Sequence, residues 1–229
     1  MRENNDIGTL NESALHLALK NYIDPDPSHH EVVLNGFVAD VFDGEKITEI
    51  ETRSFSNLKK KLGVFLRDYP VTVVFPVAAK TVFSYIGGDG APDRLHVSSR
   101  KGRPSDILTE TMKISEYVGS GNLSFRIIML EVKEYRLKRR RRGRESFDVA
   151  ERFPVAFVRD IFLNSAEDFA GLAEIPVDCF AAEEFARLNR LAGYKAWKEL
   201  KALEGLGIIS CDKKSRPFVY KRLDKGAEK

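Results

Sequence analysis

Two cysteines, Cys179 and Cys211, and one tryptophan, Trp197, are all that 229 residues provide of these types. Two thiols cannot build a disulfide framework or a cysteine-rich zinc site; they fit a reducing compartment, where a core thiol is the ordinary use. Of the four histidines, His29, His30 and His96 lack the spacing of metal ligands. Missing too are a run of about 18 apolar residues and a basic-then-apolar start, so neither a membrane span nor export is expected and the reading is cytoplasmic. With 43% apolar and 31% charged residues, the composition is that of a chain that folds.

The net charge of +3 is modest but unevenly spread. Lys138, Arg139, Arg140, Arg141, Arg142 and Arg144 form one dense block, with Lys133 and Arg136 just upstream. Such a block is either an extended, self-repelling linker or an anion-binding element. The length allows two cores, one of about 140 and one of about 80 residues. The expected division is therefore residues 1–137, a basic connector at 138–164, and a small unit at 165–229.

Leu15, Leu19 and Ile23 recur at helical spacing behind Asn11 as a candidate cap, and Asp24-Pro25-Asp26-Pro27 stops that helix. Residues 31–42 and 46–53 read as two strands joined at Asp43-Gly44, a tight-hairpin signal. Residues 54–68 read as helix, 71–78 as a strand apolar on both faces, 105–118 as helix and 123–135 as a long strand. Strands covered by helices argue an α/β fold.

A two-residue loop at Gly44-Glu45 pairs residues whose numbers sum to 89, which sets Asp40 opposite Glu49 and Phe42 opposite Ile47. By alternation Glu51 shares the face of Asp40 and Glu49, together with Leu34, Val38 and Phe42. Opposed like charges about 5 Å apart destabilise a sheet unless something compensates them. A hard divalent cation, Mg²⁺ or Mn²⁺, is the natural compensator; the bland alternative is a slipped register with acids along a sheet edge.

Glu12 in a first helix, then Asp40, then Glu49-Ile50-Glu51 after a hairpin, resemble the PD-(D/E)XK nuclease superfamily, the restriction-endonuclease-like fold. Residues 10–78 match that family's order of helix, three-strand meander, helix and strand. The resemblance implies a metal site of Glu12, Asp40 and Glu49. It also implies a departure, since Glu51 stands where the triplet usually has Lys. Glu51 is then expected to orient or deprotonate the attacking water, and the missing cation has three candidates, Lys61, Lys60 and Arg53. His16 and Lys20 continue the Glu12 stripe and are candidate phosphate contacts. Lys101 and Arg103 precede a helix start, a second place for a phosphate, although Asp106 competes for the same donors.

Residues 181–223 run helix, break at Leu191-Ala192-Gly193, helix, hairpin, and resemble a winged helix-turn-helix. Ala196, Leu200 and Leu203 form the core stripe, and Trp197, one position on, is expected in the core with them. Tyr194, Lys195, Lys198 and Lys201 face outward, and Lys213, Lys214 and Arg216 sit at the hairpin tip. The resemblance implies DNA as partner, with Lys195, Lys198, Lys213, Lys214 and Arg216 on the duplex and Arg139, Arg140, Arg141 and Arg142 on phosphate.

The expectation is an α/β protein, with a restriction-endonuclease-like mixed sheet flanked by helices plus a small winged-helix domain. It would act as a Mg²⁺- or Mn²⁺-dependent deoxyribonuclease, and nucleases of this type often dimerise, so a homodimer is a candidate assembly. The alternative is a catalytically inactive nuclease-fold protein that binds DNA or serves as an adaptor.

Overall fold

A computed structural model describes residues 13–87, 91–141 and 144–223. Ser13 caps the first helix, α1 (Ala14–Ile23), by accepting the His16 N–H. Its buried Leu15 and Leu19 set the helix against the sheet. The segment expected to be one strand at 31–42 is two, β1 (His30–Leu34) and β2 (Phe37–Phe42). Asn35 and Gly36, at φ +50° and +83°, turn the chain between them. Two consecutive positive φ values are what a tight hairpin turn with the strands' own twist requires, and Asn-Gly supplies them at least cost.

A second hairpin leads to β3 (Ile47–Ile50). One Asp43 carboxylate oxygen accepts the N–H groups of Glu45 and Lys46, and Gly44 takes φ +96°. The resulting register pairs Val41 with Thr48 and Phe42 with Ile47, as the turn residues imply. A short 3-10 turn and α2 (Lys59–Phe65) then cross to β4 (Val71–Ile86), which lies parallel to β3 and runs well past the expected end at residue 78. After β5 (His96–Val97) and α3 (Asp106–Thr111) comes β6 (Leu123–Arg141), parallel to β4; β7 (Arg144–Leu163) returns antiparallel to it.

The seven strands form one mixed sheet of order β1-β2-β3-β4-β6-β7, with β5 paired to β4. Side chains alternate along each strand, so the two faces have separate partners. Val73, Phe125 and Ile127 pack with Leu62 and Phe65 of α2 and with α3, whereas Ile50, Val74, Ile128 and Leu130 pack with Leu15 and Leu19 of α1. The chain is thus α/β, a large mixed sheet flanked by helices.

The basic block corrects one expectation. Residues 138–164 are not a connector: Lys138–Arg141 end β6, and Arg144 begins the twenty-residue β7. Cross-strand pairing from Arg141–Arg144 down to Phe125–Leu163 holds the arginines at the end of a long hairpin rather than in an extended linker.

The last part comprises α4 (Ala166–Ala170), β8 (Phe180–Ala181), α5 (Ala182–Leu188), α6 (Gly193–Gly205), β9 (Ile209–Asp212) and β10 (Val219–Arg222), with a sheet of order β8-β10-β9. Ala196, Leu200 and Leu203 are buried as their spacing predicts. Their cluster is continuous with that of Phe125, Leu163 and Phe169, so the C-terminal unit shares its core with the sheet rather than closing one of its own. Trp197 departs from expectation: it is 43% exposed, stacked on Tyr194 at 6.1 Å. Cys179 is likewise exposed, not a core thiol. Among the described residues no helix is long and apolar enough to cross a membrane.

Candidate active site

One step beyond the Val41–Thr48 pair, the Ile50 N–H donates to an Asp40 carboxylate oxygen at 2.7 Å. The same oxygen lies 3.4 Å from His16 Nε2. On the neighbouring strand Glu49 is 1% exposed, and Lys61 of α2 donates to its Oε2 at 2.7 Å. Asp40 and Glu49 are therefore approached from both layers, by His16 of α1 and Lys61 of α2. Of the three candidate cations, Lys61 is the one in contact; Lys60 and Arg53 are exposed.

The two acids titrate in opposite directions. Burial pushes the Asp40 carboxyl up, but His16, the Ile50 N–H and Lys61 outweigh it and hold the group below the ordinary aspartate value. Burial also acts first on Glu49; the Asp40 charge adds to it, and Lys61 offsets only part, so the carboxyl is pushed up to about 7. Adjacent carboxyl groups separated in this way are the arrangement from which acid–base and metal sites are built. Glu49 Oε1 is buried without a hydrogen-bond partner, a costly state that a cation would relieve.

Glu51 does not continue the row. It lies beyond the end of β3, and its Oε1 accepts the N–H groups of Arg53 and Ser54, which fixes the turn into α2. Loss of strand geometry after Ile50 is why alternation fails there. Among the described residues no three His, Cys, Asp or Glu side chains gather as a metal cage; Glu12 lies outside the described residues. Two carboxylates are nonetheless a sufficient protein contribution for Mg²⁺, which keeps several waters and takes further oxygens from a phosphate.

Several expected phosphate contacts have other tasks. Lys20 is 2% exposed and donates to Glu31 at 2.8 Å, which removes it from the stripe. Arg103 donates to the Asn189 carbonyl, and Lys195 to Asp106. With Ser105 donating to the buried Glu199 at 3.2 Å, these groups fasten the start of α3 to α5 and α6. Burial raises the Glu199 carboxyl, with Lys195 and Arg103 opposing. Arg103 and Lys195 are thus contacts between the two units, whereas Lys101 is exposed.

Lys198 lies 4.5 Å from the Tyr194 ring on a face where Tyr194 is 70% exposed. At the β9–β10 tip Lys213 meets Glu204 at 3.0 Å, Lys214 is exposed, and Arg216 donates to the carbonyls of Lys213 and Ser215, holding the tip together. Arg139 pairs with Asp148 at 3.2 Å. Arg140 and Arg141 belong to β6 by backbone pairing, and Arg142 lies outside the described residues.

A groove of about 490 Å³ has Leu15, Thr52, Arg136, Phe147 and Arg152 among its lining residues. Glu134, Arg136 and Arg152 were not singled out as site residues by the sequence; their signal was the alternation Val132-Glu134-Arg136-Lys138 in a strand read only to residue 135. A second cleft, of about 280 Å³ and lined by Met112, Phe125, Leu163 and Leu206 among others, carries no charged side chain and has no acid–base chemistry to offer.

Fold and site together define an α/β protein with a carboxylate pair on neighbouring strands, Glu49 buried and Asp40 half-buried. The chain belongs to the family described as Domain of unknown function (DUF8091), whose model matches residues 13–164, from the cap of α1 to the end of β7. It is also 32% identical over 126 residues to a protein of Treponema pallidum (strain Nichols) named only "Uncharacterized protein"; the match covers 54% of this chain and 50% of that one. The chain thus spans about half the length of the curated relative it matches. No solved structure matches it.

Proposed function

We propose that this protein is a metal-dependent nuclease that hydrolyses phosphodiester bonds in DNA, with Asp40 and Glu49 as its metal-holding acids and Lys61 as its catalytic cation. The observation that carries the reading is the contact of Lys61 with Glu49, beside an Asp40 held ionised by its neighbours. Lys61 meets the need left by Glu51 in the triplet from a different element, the helix that follows. Strand order β1-β2-β3-β4 with only the last pair parallel supports the restriction-endonuclease-like reading. The order α4, β8, α5, α6, β9, β10 with sheet β8-β10-β9 supports a winged helix at 165–229. The outward Tyr194, Trp197, Lys198 and Lys201 of α6 are then its surface for DNA.

A Mg²⁺ or Mn²⁺ ion held by Asp40 and Glu49 would supply an activated water and neutralise the scissile phosphate. The chain's own groups do the rest. The Ile50 N–H fixes the orientation of Asp40, and His16 keeps it ionised. Lys61 places a fixed positive charge where negative charge develops on a phosphate, at no cost of reorganisation. Glu49, raised to about 7 without metal, would give up its proton as a cation binds.

A second reading, a catalytically inactive DNA-binding or adaptor protein on the same fold, is favoured by one observation: Glu51, at the usual lysine position, brings no cation and is committed to a backbone turn. Cleavage of plasmid and linear DNA in Mg²⁺ and Mn²⁺ separates the two. Asp40→Asn, Glu49→Gln and Lys61→Met should each lower the rate by roughly 100-fold or more, the scale of losing an electrostatic catalytic group, with unchanged affinity for DNA. Equal rates in wild type and variants would sink the site.

A further inference from the structure

Register between strands sets one face of the long β4, β6 and β7 strands, part of which lines the groove of about 490 Å³. Phe83, Glu134 and Arg152 lie side by side across β4, β6 and β7; Tyr85, Arg136 and Val149 form the next row, Lys138 and Phe147 the one after, and His96 of β5 sits beside Phe83. Residues so paired share one face. The Arg136 guanidinium lies between two rings, 3.7 Å from the Phe83 centroid and 4.4 Å from that of Phe147. His96 stacks on Phe83 at 5.2 Å, Tyr85 meets Phe147 edge-on at 6.2 Å, and Lys138 Nζ is 5.0 Å from the Tyr85 ring. Arg136 and Arg152 share the buried Glu134.

Cross-strand packing explains the half-buried Phe83 and Tyr85, but not Phe147, a residue 44% exposed in a groove lined by Arg100, Arg136 and Arg152. The charge is concentrated here. Residues 131–152 hold nine Lys or Arg against five Asp or Glu, so the chain's whole excess of +3 resides in this hairpin. Cations interleaved with open aromatic rings match a nucleic acid whose bases are unstacked: phosphates meet the cations, and a free base face meets the ring. A duplex keeps its base faces inside its own stack and has none to offer.

We propose that this face is a stacking platform for single-stranded DNA, with Phe147 taking a base on its open side and Lys138 and the groove-lining Arg100 and Arg152 holding phosphates. The proposal rests on the nuclease reading for its choice of DNA.

The test is fluorescence anisotropy of end-labelled oligo(dT), on the order of 16 nucleotides long, with the full chain in EDTA so that cleavage plays no part. Phe147→Ala should weaken binding roughly 5- to 150-fold, the range for loss of one base–aromatic stack. Phe147→Leu should weaken it as much, because it keeps bulk without a π face, and Phe147→Tyr should bind as wild type does. Three results would each overturn the proposal: wild-type affinity in both Phe147→Ala and Phe147→Leu, competition by blunt duplex as strong as that by oligo(dT), or tighter binding of oligo(U). If oligo(dT) binding depends on Phe147 while no preparation cleaves DNA in Mg²⁺ or Mn²⁺, the platform stands and only the nuclease reading falls.

Discussion

Glu49→Gln should remove a pH dependence of stability that the wild type carries between about pH 4.5 and 7. The cause is the burial of Glu49, reinforced by the Asp40 charge and only partly offset by Lys61, which takes its carboxyl from 4.5 to about 7. Across that interval the folded chain keeps a proton that the unfolded chain has released. Stability therefore falls as pH rises, and levels off above the folded value. A rise of this size corresponds to about 3 kcal/mol. Asp40 acts with the opposite sign and elsewhere: its pKa is lowered from 3.8, so its contribution is present above that value and lost only at more acid pH. Melts by circular dichroism in EDTA at pH 5, 6, 7 and 8 isolate Glu49. For a chain of this length 1 kcal/mol moves the melting temperature by roughly 2–4 °C. The difference between Glu49→Gln and wild type should then grow by about 6–12 °C from pH 5 to pH 8. Asp40→Asn, which removes the second-largest cause, should shrink the wild-type effect without abolishing it. Millimolar Mg²⁺ should raise the wild-type melting temperature more at pH 8 than at pH 5, because the ion binds the ionised carboxylate. Melting curves that shift in parallel for wild type and Glu49→Gln would refute the buried, Asp40-opposed carboxyl on which the site depends.

Three further outcomes test the surroundings of the site. A Cβ on Gly102 would lie 2.7 Å from Val77 Cγ1 and 2.9 Å from the Ala78 carbonyl, so Gly102→Ala should cost about 1–3 kcal/mol as the loop is pushed off β4, read as a lower melting temperature. Replacing Arg139, Arg140, Arg141 and Arg142 together by serine should flatten the slope of log DNA affinity against log salt, by about 0.9 for each duplex phosphate that the protein no longer neutralises. Lys195→Ala should leave that slope unchanged, because its ammonium is held by Asp106; a flattened slope in Lys195→Ala would return that lysine to the DNA surface.

The carboxylate pair was legible because hairpin register is a local matter. Asp43-Gly44 fixes the turn, the turn fixes which residues face each other, and Asp40 and Glu49 follow without reference to the rest of the chain. The same holds for the core stripe of α6, where spacing alone buries Ala196, Leu200 and Leu203. Asn35-Gly36 is equally local and is the strongest short-range turn signal in the chain, yet the apolar residues on either side of it read as one continuous strand. What only the tertiary structure decided are the distant partnerships. Whether Lys61, Lys60 or Arg53 meets Glu49 depends on the roll of α2 against the sheet, and whether Lys195 faces DNA or Asp106 depends on where the C-terminal unit docks. The arginine block shows the physical reason most plainly. Six basic residues within seven positions look like a solvated connector when only their mutual repulsion is weighed; Lys138 to Arg141 instead continue a strand because β7 supplies the backbone pairing, from Lys138–Phe147 to Arg141–Arg144, that a local reading of charge cannot include.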